Sequence, residues 1–367
     1  MQGEIDAGRS TVKADAYSMS IGELINLYRS RELVIRPEFQ RLFRWSQEKK
    51  SRLIESILLG IPLPSVFVMQ RHDGVWELID GLQRISTILE FTGELLDEDN
   101  GEPRPPSTLT ATKYLPSLHG MTFESDEGPT LSAGQRIGFK RSKIDVKILL
   151  PESDEKAKYE LFDRLNSGGE SASAQEVRNV QLIMADRSFF KWIMGLRAVD
   201  GFQECTLMST RQAEQQYDVE LVCRYLALSR STDFELRAMP DVDSFLTDKM
   251  LAFAVDSTLD RDDVASKFSS IFSMLSAALG SESFRRYDAS KKRFMGGFSV
   301  SAYEAITAGV GHNIDAWLTT GNRDEKLRNK VALLWSLPAF KTQARGGVRG
   351  TTRIPAIVPA AKNHFKP

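Results

Sequence analysis

The first half of the chain mixes two periods of apolar residues. Apolar positions three and four residues apart predict helices, and short apolar runs bounded by glycine, proline or aspartate predict strands. The predicted helices cover residues 21–30, 47–59, 81–92, 155–165 and 174–185. The predicted strands cover residues 33–35, 65–70, 75–79 and 143–150. The N-terminal half is therefore expected to hold a sheet together with helices.

The second half carries the helical pattern alone. Residues 219–228 and 264–279 show apolar stripes at helical spacing, whereas alternation typical of strands is confined to the first half. We therefore predict an α+β fold, with an N-terminal domain at residues 1–185 and an all-helical domain at residues 186–367.

Composition excludes several classes of protein. Apolar residues at 41% and charged residues at 26% are typical of a globular protein, and 48 Lys and Arg against 49 Asp and Glu exclude a polycation. The sequence has no apolar run long enough for a membrane span and no apolar core of a secretion signal at its N-terminus. Cys205 and Cys223 lack the CxxC spacing, and the histidines lack the spacing of a zinc site. We therefore expect a cytoplasmic protein without a membrane partner.

Charge is unevenly spread along the chain. Residues 326–367 contain nine Lys or Arg and no Asp or Glu. Clustered cations of this kind favour contact with phosphate backbones. The sequence therefore predicts a basic C-terminal tail in which Arg345, Arg349 and Arg353 are candidate DNA contacts.

A strand, a glycine and a helix follow each other at residues 75–92. Such a turn directs free backbone N–H groups and the positive end of the helix dipole at a common point, which favours an anion. Helical spacing places Gln83, Arg84 and Thr87 on the open face, and Asp80 can cap the helix or hold a Mg²⁺ water. The alternative interpretation is an ordinary capped helix with Gly81 in a tight turn and the arginine in solvent.

Two further segments carry candidate chemistry. Residues 37–45 interleave three aromatic side chains with Arg41 and Arg44, a pattern typical of base stacking or phosphate clamping. The alternative is that the aromatic rings are buried and the arginines reach solvent. Residues 162–169 combine Arg164 and Asn166 with two glycines, and a helix with a polar face follows them. The alternative interpretation of this segment is a helix end followed by a tight turn.

These segments occur in a recognisable order. The run Phe39-Gln40-Arg41…Trp45, the helix and Pro-rich end at residues 53–64, Asp80-Gly81-Leu82-Gln83-Arg84, and the blocks at residues 162–169 and 175–179 together resemble the N-terminal domain family of the GmrSD restriction endonucleases. The resemblance covers residues 20–185. It implies a fold similar to ParB and sulfiredoxin, and nucleotide binding and hydrolysis coupled to DNA restriction in antiphage defence.

The family's motif Asp-Gly-Gln-Gln-Arg corresponds to Asp80–Arg84, with Leu82 in place of the first glutamine. Helical spacing places Leu82 toward the core and leaves Gln83 and Arg84 outward, so phosphate binding is expected to survive the replacement. The resemblance implies a pocket for an NTP with Mg²⁺, with Asp80 and Arg84 catalytic and Asp80 as metal ligand. The nucleotide-binding residues expected are Gln40, Arg41, Gly81, Gln83, Arg84, Thr87, Arg164 and Asn166.

Larger members of the family add an HNH nuclease half. The candidate pair here is His312-Asn313, and no second histidine accompanies it, so we expect a separate nuclease partner to cut DNA. The favoured function is a nucleotide-binding sensor or regulatory subunit that hydrolyses NTP. Two alternatives stay open: a DNA-binding or scaffold protein without hydrolysis, which would hold phosphates with Arg41, Arg44 and Arg84, and a ParB-like nuclease that uses the same pocket.

Overall fold

The structure, a computed structural model, covers most of the chain. The described residues are 14–35, 45–97, 100–126, 128–151, 173–209, 212–213 and 215–367. The chain divides into two compact units, Met1–Ser171 and Ala172–Pro367. Each unit buries its own set of apolar side chains.

The first unit combines a sheet with helices. Its strands are β1 (Ala14–Ser20), β2 (Leu33–Val34), β3 (Val66–Gln70), β4 (Trp76–Asp80) and β5 (Lys143–Leu149). Its helices are α1 (Ile21–Arg29), α2 (Gln47–Leu58), α3 (Leu82–Phe91) and α4 (Ala133–Arg141), with a 3₁₀ turn at Pro116–Leu118. The predicted α+β class is confirmed.

The sheet has the strand order β1-β5-β3-β4-β2. β3 runs parallel to β5 and antiparallel to β4, while β1 is antiparallel to β5 and β2 is parallel to β4. The inner strands carry fully buried side chains such as Val68, Leu78 and Ile148. Because β3 and β4 are neighbours, Asp80 at the end of β4 lies opposite Phe67 near the start of β3. This pairing positions the turn that follows β4.

Two elements of this unit escaped the sequence pattern. β1 exposes most of its side chains and buries Met19, so it has no apolar run, and the backbone ladder to β5 holds it. α4 buries Phe139, and a reciprocal capping box between Ser132 and Gln135 starts it. Elements that bury so few side chains leave a weak periodic signal.

The second unit is mainly helical. Its helices are α5 (Ala174–Ala185), α6 (Arg187–Arg197), α7 (Asp200–Cys205), α8 (Tyr217–Arg230), α9 (Asp233–Ala238), α10 (Val242–Val255), α11 (Arg261–Leu279), α12 (Val300–His312), α13 (Ile314–Leu318), α14 (Arg323–Leu334), α15 (Pro338–Gln343) and α16 (Gly350–His364). α12 is buried along residues 301–310, as expected for a helix that is apolar or small all round, and packs against α8 and α16.

The prediction of an all-helical second domain is wrong in one place. Strands β6 (Arg286–Asp288) and β7 (Arg293–Met295) form an antiparallel hairpin. Tyr287 and Phe294 face each other across it with ring centroids 5.0 Å apart. Strands of three residues that each begin with an arginine show no apolar alternation, which explains why the sequence pattern missed them.

The basic segment at residues 326–367 is not a tail. It forms most of α14, all of α15 and α16, and α16 packs against α12. Helix α5, which the sequence pattern assigned to the N-terminal domain, packs against α6 and α10 and falls in the second unit. Among the described helices, none is both long enough and apolar enough to cross a membrane.

Candidate functional site

The turn between β4 and α3 is the candidate site that the structure describes most fully. β4 ends at Asp80, and Gly81 follows in the left-handed region with φ 94° as the N-cap of α3. The carbonyl of Gly81 accepts the first helical hydrogen bond, from the N–H of Ile85 at 2.9 Å. Gly81 rather than Asp80 therefore caps the helix, which corrects the predicted capping role of Asp80.

Packing on β3 explains why this position holds glycine. Gly81 is buried, and a Cβ atom there would lie 2.5 Å from Val66 Cγ1 and 2.9 Å from Val66 Cβ. The positive φ angle adds a second constraint, because side chains other than glycine rarely adopt it. Both constraints come from the protein itself, so the glycine is needed for the turn whatever binds above it.

Arg84 is the central side chain of the turn. Its Nη2 donates to Asp80 Oδ2 at 3.0 Å, and its Nη1 donates to the carbonyl oxygen of Pro64 at 2.7 Å. The side chain is 14% exposed. The guanidinium is thus fixed beside the helix N-terminus by a carboxylate and a carbonyl, in contrast to the alternative interpretation, which left it in solvent.

Gln83 connects this turn to the segment before α2. Its Oε1 accepts a hydrogen bond from the backbone N–H of Trp45 at 3.1 Å. Trp45 ends the predicted aromatic and arginine-rich segment at residues 37–45. The structure therefore brings the end of that segment to α3.

The predicted faces of α3 need two corrections. Thr87 was expected on the open face, but it is fully buried and its hydroxyl donates to the Gln83 carbonyl at 2.6 Å. Leu82 was expected in the core, but it is partly exposed. The reason is that residues 85–89 are all buried, so α3 is covered on more than one side, while its first turn is partly exposed.

Several predicted site residues lie outside the described residues. They are Gln40, Arg41, Arg44, Arg164 and Asn166. The predicted helix at residues 155–165 lies there as well. Their proposed contacts with a nucleotide or with DNA therefore stay predictions.

The polar residues that follow this segment have a structural explanation. Gln175, Arg178 and Asn179 of α5 are almost fully buried in the second unit. Arg178 Nε donates to Thr247 Oγ1 at 3.2 Å, its Nη2 donates to the Asp243 carbonyl at 3.1 Å, and its Nη1 donates to Gln175. Spacing grouped these side chains correctly, but they hold α5 in its core.

The predicted DNA contacts divide into two groups. Arg345 and Arg349 are exposed. Arg353 instead forms an ion pair with the fully buried Glu304, with its Nη2 2.9 Å from Glu304 Oε2, and Arg224 pairs with the same carboxylate at 2.7 Å. This position does not favour a contact between Arg353 and DNA, because removing either arginine from a buried carboxylate is costly.

The described residues offer little else for catalysis or metal binding. They contain no group of three or more His, Cys, Asp or Glu side chains placed to hold a metal ion. Burial raises the pKa of the Cys205 and Cys223 thiols to about 11, so neither is a thiolate at neutral pH. Asn313 of the pair His312-Asn313 donates to the carbonyls of Gly309 and Lys362, which joins the ends of α12 and α16.

Comparison with known protein families identifies part of the chain. Residues 21–183 match the family described as GmrSD restriction endonuclease, N-terminal domain. The matched region contains the β4–α3 turn and most of α5. No curated protein and no solved structure matches the chain.

Proposed function

We propose that this chain is a nucleotide-binding regulatory subunit of a DNA restriction and antiphage defence system. The proposal rests on the family to which the chain belongs through residues 21–183, the GmrSD restriction endonuclease N-terminal domain. A separate nuclease would cut the DNA. The observation that supports nucleotide binding is the Asp80–Arg84 pair at the open first turn of α3. The proposal includes a ParB/sulfiredoxin-like fold for the first unit.

The first turn of α3 supplies what a phosphate group needs. The N–H groups of the first helical residues have no acceptor within the helix, and the helix dipole adds positive potential at the same point. Arg84 is held beside them, and a guanidinium has more donors than the two that Asp80 and Pro64 use. A phosphate above Gly81 could therefore accept from both the backbone and Arg84.

Asp80 is the residue that would hold Mg²⁺. Mg²⁺ is often bound by one or two carboxylates together with phosphate oxygens and water, so a single aspartate beside a phosphate site fits it. Asp80 uses Oδ2 for Arg84, and its Oδ1 has no hydrogen-bond partner among the described residues. When bound, the ion would neutralise phosphate charge during hydrolysis.

Substitution of Arg84 tests nucleotide binding. Fluorescent ATP, GTP, CTP and UTP are titrated with Mg²⁺ into wild type, Arg84→Ala and the control Arg71→Ala, an exposed arginine of the same unit that pairs with Asp73. We expect about tenfold or greater weakening in Arg84→Ala, because a hydrogen bond to a charged group is lost, and little change in the control. Failure of wild type to bind any NTP would contradict the proposal, as would equal affinity in a folded Arg84→Ala.

Hydrolysis is tested separately from binding. Asp80→Asn keeps the shape of the side chain but weakens any Mg²⁺ contact. We expect phosphate release to fall while Mg²⁺-independent nucleotide binding persists. Unchanged phosphate release in Asp80→Asn would remove Asp80 from the proposed metal site.

A further inference from the structure

A groove lies on the surface of the second unit. It lies between the hairpin β6–β7 and helices α14 and α15, and its volume is about 1160 Å³. A smaller cavity of about 480 Å³ adjoins it and shares Arg286 and Trp335 with its lining. Pockets for single small molecules usually have volumes of about 300–1,000 Å³. The combined groove is therefore large enough for a segment of a polymer.

The walls of the groove carry several exposed cations that form no ion pair with any part of the chain that the structure describes. Arg286 lines it from the hairpin, and Lys341 and Arg345 line it from α15 and the turn that follows. Further exposed cations on the same segments are Lys291, Lys292, Arg293 and Arg349. Among the described residues, none of these seven side chains forms an ion pair within 4.0 Å. Other cations of the basic segment are paired, such as Arg328 with Glu282 and Arg353 with Glu304.

The carboxylate of Asp288, which also lines the groove, accepts hydrogen bonds from the hairpin itself. Asp288 Oδ1 accepts from the Ser290 and Lys291 backbone N–H groups at 2.9 and 3.1 Å and from the Ser290 hydroxyl at 2.6 Å. These hydrogen bonds, first that of the Ser290 hydroxyl, lower the pKa of Asp288. The aspartate therefore shapes the turn and stays ionised, with Lys291 as a nearby cation, but it forms no ion pair within 4.0 Å with the cations of either wall.

Aromatic rings lie inside this basic frame. Trp335 and Tyr287 line the groove and are partly exposed, while Phe340 packs edge-on against Trp335 with centroids 4.9 Å apart and Phe294 packs against Tyr287. Partly exposed rings that are held by neighbouring rings can stack on bases at little cost in conformational entropy.

We propose that this groove binds a single nucleic-acid strand, with phosphates on Arg286, Lys341 and Arg345 and bases against Trp335 and Tyr287. Unpaired cations on two walls around aromatic rings are the combination by which proteins bind single strands. A duplex keeps its bases stacked inside, so the rings of the groove would have nothing to stack on. The inference rests on the proposed function only in taking nucleic acid as the ligand, and it needs no nucleotide at the β4–α3 turn.

The test measures binding of fluorescent oligo(dT) to the full chain without NTP at several salt concentrations. The groove variant combines Arg286→Ala, Lys341→Ala and Arg345→Ala. The matched control combines Arg237→Ala, Lys326→Ala and Lys366→Ala, three exposed cations of the same unit outside the lining. We expect the groove variant to bind oligo(dT) at least about tenfold more weakly than wild type. The slope of the logarithm of the association constant against the logarithm of the salt concentration should become shallower by about 2, since each of three lost phosphate contacts contributes about 0.7. The control should retain wild-type slope.

Other probes decide between occupants. An abasic oligonucleotide, a duplex and polyglutamate of equal charge should all bind more weakly than oligo(dT). Equal binding of the abasic strand or the duplex would overturn the stacking role, and tighter binding of polyglutamate would favour an acidic protein segment instead. Trp335→Phe should remove most of the tryptophan fluorescence change on binding; an unchanged signal would overturn the assigned position of the strand.

The same variants distinguish failure of the groove proposal from failure of the proposed nucleotide site. Arg84→Ala should bind oligo(dT) as wild type does, and the groove variant should bind NTP as wild type does. Loss of oligo(dT) binding in Arg84→Ala with the groove variant unaffected would place the strand on the first unit and overturn the inference.

Discussion

Gly81 shows how far one residue can be constrained by its neighbours. Its φ of 94° is strained for any other residue, and a Cβ atom would overlap Val66 at 2.5 Å. Gly74, in the β3–β4 turn of the same unit, has a similar φ of 86° but no atom within 4 Å of a Cβ. Comparison of Gly81 with Gly74 therefore distinguishes the cost of the positive φ angle from the cost of steric overlap.

Substitution of these glycines should give unequal losses of stability. Gly74→Ala should cost about 1 kcal/mol, the strain of a left-handed alanine. Gly81→Ala should cost about 2–4 kcal/mol, because overpacking against Val66 adds to that strain. Urea unfolding checks both values, and Val66→Ala should recover part of the Gly81→Ala loss. Equal losses in the two variants would show that the contact with β3 is not tight.

At this scale the sequence predicted the centre of the site better than its edges. The sequence placed Asp80 and Arg84 in one site, but it predicted a cap or metal ligand and a phosphate donor rather than the ion pair that they form. The contact of Arg84 with the Pro64 carbonyl joins residues far apart in sequence, so spacing could not reveal it. Thr87 was misassigned because a helical period cannot show that α3 is covered on more than one side.

Among the elements of the first unit, the loop after α3 depends on α2. Ser51 Oγ accepts from the Thr110 N–H at 2.9 Å, and Glu55 accepts from the N–H groups of Tyr114 and Leu115 at 2.8 and 2.9 Å and from the Thr112 hydroxyl. Glu55 is buried at 6% exposure. A segment with almost no regular structure is therefore held to α2 by one serine and one carboxylate.

Glu55 should contribute stability that depends on pH. Burial raises the pKa of its carboxyl, but the hydrogen bonds from Thr112, Tyr114 and Leu115 outweigh burial and leave the pKa below its ordinary value of 4.5. A lowered folded-state pKa means that the stabilisation is complete above about pH 4.5 and is lost as the pH falls through the folded value. Glu55→Ala should cost about 2–3 kcal/mol at pH 7, because two backbone N–H groups and the Thr112 hydroxyl lose partly buried hydrogen bonds to a charged acceptor.

The control for this prediction is Glu55→Gln, which keeps an acceptor oxygen but cannot titrate. Urea midpoints are measured at pH 7 and near pH 3 for wild type and both variants. The wild type should lose more stability between the two pH values than Glu55→Gln does. The same pH dependence in both would show that the carboxylate is not what fixes the loop.

Helices and strands were predictable where they bury a row of apolar side chains, and they were missed where they do not. Ser20 and Ser173 start α1 and α5 as their sequences indicate, and the Ser173–Glu176 capping box is confirmed. β1 and the hairpin β6–β7 escaped because backbone pairing and a short aromatic contact hold them, neither of which leaves an apolar period. The candidate nucleic-acid groove was missed with the hairpin, although its cluster of cations is visible in the sequence.

On the scale of the whole chain, the boundary between units depends on α5. The structure divides the chain between Ser171 and Ala172, while the family match continues to residue 183 and the sequence pattern predicted a boundary at 185. α5 buries Leu182 and Ile183 and carries the polar network of Arg178 inside the second unit. Sequence could not show this, because a capped amphipathic helix does not reveal which core receives it.

Two fragments distinguish these boundaries. Residues 172–367 keep α5, whereas residues 186–367 lose it and leave the buried Gln216 without Asn179, its partner in the network. Each fully buried Leu or Ile contributes about 1.5–3 kcal/mol, so loss of α5 should remove roughly 5 kcal/mol, a large share of the 5–15 kcal/mol of a typical domain. We expect residues 172–367 to unfold cooperatively on heating, and residues 186–367 to melt roughly 10–20 °C lower or not to fold. Equal melting temperatures would mean that α5 is not part of the second core, and would restore the boundary at 185.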